Sequence, residues 1–133
     1  EGLVAWQNAR SLTQRIYALT RGGRLARDYG LSSQLQRAGV STMSNIADGY
    51  ERHHVPEKLQ FYNVSAGSSA EIRSLSYVVE DNYPEETESA KRLREEAKAL
   101  SRIVSGLIRS TKARRTGTGI LSLVQVLLPW LRF

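Results

Sequence analysis

Apolar residues recur along most of the chain at spacings of three and four, the signature of amphipathic helices. Trp6, Ala9, Leu12, Ile16 and Leu19 predict a first helix over residues 3–20. Arg10 and Arg15 lie off that stripe, and Arg21 suits the negative end of the helix. Gly22-Gly23 then stops the helix, because adjacent glycines keep more backbone freedom outside it. Residues 24–29 read as a short polar connection. A second helix follows from Leu31 to Ala47 or Gly49, with Leu31, Leu35, Ala38, Gly39, Thr42, Met43 and Ile46 facing inward. Its stripe is rich in small side chains. A glycine in a helix interior costs about 1 kcal/mol against alanine, so Gly39 predicts a contact too close for a methyl group. Gly49 is read as the helix stop, where glycine adopts a left-handed conformation easily.

Pro56 suits a first helical turn, and a third helix is expected over residues 56–81. Phe61, Val64, Ser68, Ile72, Leu75 and Val79 form its stripe, widened by Leu59, Tyr62, Ala66 and Ala70. Gly67-Ser68-Ser69 interrupts the apolar pattern without shifting its period, so it reads as close helix packing. A loop splitting two shorter helices is the alternative. Asn82-Tyr83-Pro84 marks a turn. A fourth helix over residues 85–112 carries Ala90, Leu93, Ala97, Leu100, Val104, Leu107 and Thr111 on one side. Glu85, Glu86 and Glu88 at its start and Arg109 and Lys112 at its end match the helix dipole. Short connections make consecutive helices antiparallel. The expected fold is all-α, an up-down four-helix bundle over residues 1–115, followed by an apolar tail at 116–133.

That tail changes the composition sharply. Residues 116–119 read as a flexible joint, and Leu121, Leu123, Val124, Val126, Leu127, Leu128, Trp130, Leu131 and Phe133 follow. The run is shorter than the roughly 20 residues a membrane-spanning helix needs. Packing on the bundle or a second subunit is the favoured cover. A partner-binding peptide, membrane-surface contact or a non-native extension are the alternatives.

Length and charge bound the function. The 133 residues hold one modest core. There is no cysteine, which excludes disulfides and thiolate metal sites and fits a cytoplasmic setting. The opening residues lack the basic start and apolar run of a signal peptide. Nineteen Lys and Arg against thirteen Asp and Glu leave +6, which favours an acidic partner such as RNA or DNA. The candidate phosphate contacts are Arg10, Arg15, Arg24, Arg27, Arg102, Arg109, Lys112, Arg114 and Arg115. If the first and last helices pack side by side, their basic ends would share one surface. The competing reading pairs several arginines with Glu95, Glu96 and the acidic start of the last helix.

Catalytic patterns are absent. The serines of the helices have no nucleophile-elbow context, and the glycine pairs lack a Walker lysine. His53 and His54, near Asp48, Glu51 and Glu57, lack zinc-site spacing and read as exposed linker residues. No cofactor, metal or enzymatic activity is expected. Asn45, Asp48 and Gly49 read as structural: Asn45 bonding backbone or a neighbouring helix, and Asp48 accepting from an arginine or a loop N–H.

Several of these segments occur together in one family. The run Tyr29-Gly30-Leu31-Ser32-Ser33-Gln34-Leu35-Gln36-Arg37-Ala38-Gly39-Val40-Ser41 leads into Asn45-Ile46-Ala47-Asp48-Gly49. Phe61, Ala66-Gly67-Ser68-Ser69-Ala70-Glu71 and an early Trp6-Gln7-Asn8-Ala9 complete the pattern. Over about residues 3–112 the chain resembles the four helix bundle proteins, or intervening-sequence proteins of large-subunit ribosomal RNA. The resemblance implies a bundle assembled as a ring, typically a homopentamer, with no established activity. A more distant likeness to accessory proteins of diversity-generating retroelements, basic pentamers, brings in nucleic-acid involvement only as an option. The family usually has alanine near Gly39 and glutamate near Asp48, so this chain departs from it at both positions. The expected function is a non-enzymatic oligomeric scaffold binding RNA or DNA, with a protein–protein module using the apolar tail as the alternative.

Overall fold

The computed structural model describes the backbone of residues 1–127 and the side chains of residues 1–114. Helices α1 (Gly2–Leu19), α3 (Tyr29–Glu51), α4 (Val55–Asn82) and α5 (Thr87–Leu127) are long, and α2 (Gly23–Arg27) is a short corner. A 3₁₀ turn, Pro84–Glu86, precedes α5. Each long helix packs against the next, and α1 packs against α5, closing an up-down-up-down bundle. One apolar cluster drawn from all four long helices forms its axis. Among the described residues no helix is long and apolar enough to cross a membrane.

On α1, Ala5, Ala9, Leu12 and Ile16 are buried, while Trp6 and Leu19 lie at the core's margin. Thr13 adds a polar seam: its hydroxyl donates to Ala9 O (2.8 Å) and to Gly39 O on α3 (2.9 Å). That approach explains Gly39. A Cβ there would stand 3.0 Å from Ile16 Cδ1 and 3.3 Å from Thr13 Oγ1.

The α1–α3 connection is more ordered than its polar sequence suggests. Gly23 adopts φ +70°, turning the chain where a side chain would be strained. Residues 23–27 then form α2, which drives Leu25 completely into the core. Asp28 caps α3, accepting from Leu31 N at 3.1 Å. Helix α3 also continues past its expected stop. Gly49 lies inside the helix with ordinary φ, and its role is close approach to α4. A Cβ there would meet Tyr62 Cε1 at 2.5 Å and Phe61 Cβ at 3.2 Å.

Helix α4 is continuous through Gly67, but its buried face differs from the apolar stripe in the sequence. Tyr62, Ser65, Ser69, Ile72, Leu75, Ser76 and Val79 are buried. Val64 is 48% exposed, and Phe61 and Ser68 are only half-buried. The cause is the tight fit of α4 between α3 and α5. Small hydroxyl side chains fit there and satisfy themselves on neighbouring backbone. Ser65 donates to Thr42 O (2.8 Å) and Ser69 to Ala97 O (3.0 Å). Gly67, expected at a helix contact, faces open space.

All seven predicted stripe positions of α5 are buried. The helix runs for 41 residues, through positions 116–119, where the sequence predicts a joint. Arg109 and Lys112 therefore lie in mid-helix and not at its end. The apolar tail beyond residue 127, and the tail side chains before it, fall outside the described residues.

Candidate nucleic-acid interface

Between α4 and α5 the close serine seam leaves an open groove on the solvent side. Ser69 Oγ lies 3.0 Å from Ser101 Oγ, holding the two helices together at its floor. Arg73 of α4 and Lys98, Ser101, Arg102, Ser105 and Arg109 of α5 line a volume of 430 Å³. The α5 residues recur at spacings of three and four, so they form one stripe along the helix. Lys98 is 3.5 Å from Glu95. Among the described residues, Arg73, Arg102 and Arg109 have no acidic partner. Three guanidinium groups and an ammonium thus face one solvent-open channel, a local excess of positive charge with no internal neutralisation beyond one carboxylate.

The other candidate cations are dispersed. Arg10 lies over the Trp6 ring, 5.7 Å from its centroid, on the outer face of α1. Arg15 pairs with Glu96 of α5 at 2.7 Å. Arg24 donates twice to Glu85, at 2.7 and 2.9 Å, and stacks over Tyr83. This holds the Glu85 carboxyl below the usual carboxylate range. Arg27 is exposed on α2, and Lys112 and Arg114 are exposed on α5. The Arg115 side chain is outside the described residues. Helices α1 and α5 are antiparallel: Glu1 meets Ser110, whereas Arg15 meets Glu96. Their basic ends are therefore at opposite ends of the bundle and share no surface. Pairing with the acidic positions 85 and 96 accounts for Arg24 and Arg15.

Asn45 donates to Ser41 O (2.8 Å) and Ser41 Oγ (3.1 Å) of its own helix. Ser41 in turn meets Ser68 Oγ of α4 at 2.8 Å. Asp48 is exposed and accepts from no arginine or loop N–H among the described residues. His53 and His54 are exposed, and no group of three or more metal-ligating side chains comes together among the described residues.

Two cations of the groove, Lys98 and Arg73, escape sequence reading, as do its two serines. Lys98 is legible afterwards as the start of a Lys98, Arg102, Arg109 stripe, but Arg73 joins only through the α4–α5 register. Arg94 was missed as well. It is 8% exposed, yet it bonds Ser76 Oγ (3.0 Å) and Glu80 (2.5 Å) and covers the Tyr77 ring at 3.6 Å.

The family model described as 23S rRNA-intervening sequence protein matches residues 1–106. The chain belongs to this family. The match covers α1, α3 and α4 in full and stops within α5, after Arg102 and before Arg109. Within this 23S rRNA-intervening sequence family, Arg73, Lys98 and Arg102 thus lie in the matched region and Arg109 just beyond it. No curated protein matches the chain.

Proposed function

We propose that this chain is a non-enzymatic, cytoplasmic RNA-binding scaffold that holds phosphates in the α4–α5 groove. The observation carrying this reading is the convergence of Arg73, Arg102 and Arg109, without acidic partners among the described residues, beside Lys98. Guanidinium forks suit phosphate oxygens and donate to two at once. The family description supports RNA as the polyanion of choice. The test is fluorescence anisotropy with a generic RNA across a salt series. Affinity should fall steeply with salt, as counterions are released. Arg102→Gln and Arg109→Gln should each weaken binding and lower the salt slope by about one. Absence of binding at low salt refutes the reading.

Self-association is part of the same proposal. Leu3 (63%), Val4 (52%) and Val64 (48%) are exposed apolar side chains that a second copy would cover. A ring would repeat the groove and multiply weak phosphate contacts through effective concentration. Light scattering after size exclusion should give a mass several times 14.9 kDa; a monomer at micromolar concentration removes this part. The apolar tail as a docking element for another protein is the second reading, supported by its composition alone. Truncation after residue 115 separates the two: loss of assembly on truncation favours the tail, and retention favours the bundle surface.

A further inference from the structure

Single strands and duplexes make different demands on a protein. Proteins that hold single strands combine a basic groove with aromatic rings on which the bases stack. Duplex RNA presents no free base faces, so it is held by shape, through phosphates and 2′-hydroxyls across its shallow minor groove. The groove between α4 and α5 matches the second case. It is lined by four cations and two serines, with no aromatic ring. Tyr77 lies one turn along α4 from Arg73, but the Arg94 guanidinium sits 3.6 Å over its ring. That ring face is closed to a base.

Three of the cations, Lys98, Arg102 and Arg109, are also arranged along one line on α5, with Arg73 facing them from α4. Lys98 and Arg109 are eleven residues apart on α5, about 16 Å at 1.5 Å per residue. A straight rod of charge follows a duplex backbone more readily than a flexible strand, which must be ordered to lie along it. A duplex also carries twice the charge of one strand per unit length. Between the arginines, Ser105 is exposed, and Ser101 shares its hydroxyl with Ser69. A hydroxyl has one donor and two acceptor sites, so both serines retain capacity for a 2′-hydroxyl.

Resting on the RNA-binding reading above, we propose that the groove is selective for double-stranded RNA and reads backbone, not bases. Arg73, Arg102 and Arg109 take phosphate oxygens on one strand edge. Ser101 and Ser105 meet 2′-hydroxyls. Sequence changes that preserve the duplex leave affinity unchanged.

The experiment uses the full chain and four fluorescent probes: two RNA duplexes of about 16 base pairs with unrelated sequences, one of their single strands, and the DNA duplex of one sequence. Anisotropy is measured from low to moderate salt. The two RNA duplexes should bind equally, and at least about tenfold tighter than the single strand. The DNA duplex should bind more weakly than its RNA counterpart, and Ser105→Ala should narrow that difference. Tyr77→Ala should leave every affinity unchanged, whereas Arg73→Gln should lower affinity for both RNA duplexes alike. Equal or tighter binding of the single strand, or loss of its binding in Tyr77→Ala, overturns duplex selectivity while leaving RNA binding in place. Equal binding of the DNA duplex overturns the 2′-hydroxyl assignment. Failure of all four probes to bind overturns the underlying RNA-binding reading itself. Circular dichroism of each variant separates a lost contact from a lost fold.

Discussion

Replacing Gly49 by alanine should destabilise the bundle, and replacing Gly67 by alanine should stabilise it. Both glycines are inside long helices, where alanine is intrinsically better by about 1 kcal/mol. Their surroundings decide the sign. A Cβ on Gly49 would stand 2.5 Å from Tyr62 Cε1 and 2.8 Å from Cδ1. The Tyr62 ring is 1% exposed and sits in the core, so it cannot swing into solvent. Relief requires α3 and α4 to separate, an overpacking cost of about 1–3 kcal/mol. Clashes this short belong at the upper end of that range. After the helix-propensity gain, a net loss of about 1–2 kcal/mol remains. A Cβ on Gly67 meets nothing within 4 Å, so the full gain of about 0.5–1 kcal/mol survives. Gly39 falls between them, since the Ile16 methyl at 3.0 Å can give slightly. Urea unfolding followed by circular dichroism, at one fixed protomer concentration, ranks the three variants. The order from least to most stable should be Gly49→Ala, Gly39→Ala, Gly67→Ala. A Gly49→Ala protein as stable as the parent would refute the claim that Tyr62 fixes the α3–α4 distance.

The Arg94–Glu80 contact should matter more than any exposed pair. Arg94→Ala leaves Glu80 without its partner in a partly dry site, while Ser76 keeps its bond to Arg73 O; unfolding should show a loss of about 1–3 kcal/mol, and the partial exposure keeps this below a fully buried pair. Ser69→Ala removes both the Ala97 O and Ser101 contacts at the α4–α5 seam and should cost about 1 kcal/mol in the same assay. The Asp28–Tyr83 hydrogen bond (2.7 Å) ties the α3 cap to the α4–α5 corner. It holds the Asp28 carboxyl below its usual range and raises the Tyr83 phenol. The Asp28 contribution is present above the ordinary carboxylate value of about 3.9 and is lost as pH falls through the lower folded value. The Tyr83 contribution is present below about 10 and is lost as pH rises through its higher folded value. The stability gap between the parent and Tyr83→Phe should therefore be widest near neutrality and shrink at both extremes; a gap independent of pH contradicts the linkage.

The sequence by itself determined that there are four long helices and how α5 faces the core. Residues 90, 93, 97, 100, 104, 107 and 111 could bury their side chains only on one side of a helix, and that side is the inner one. It also determined Gly39, because an interior glycine between helix formers costs enough to require a reason. Tertiary structure decided the rest, for one physical reason: the distance between helices is set by pairs of faces, not by either face alone. On α4 this turned Ser65 and Ser69 inward and left Val64 in solvent, since a hydroxyl bonded to neighbouring backbone fits where a valine does not. It made Gly49 a contact with Tyr62 and not a helix end, and it folded residues 23–27 around Leu25. The basic groove arose in the same way. Charge counting finds Arg102 and Arg109, but only the antiparallel packing of α4 and α5 sets Arg73 opposite them and sends Arg15 and Arg24 to carboxylates elsewhere.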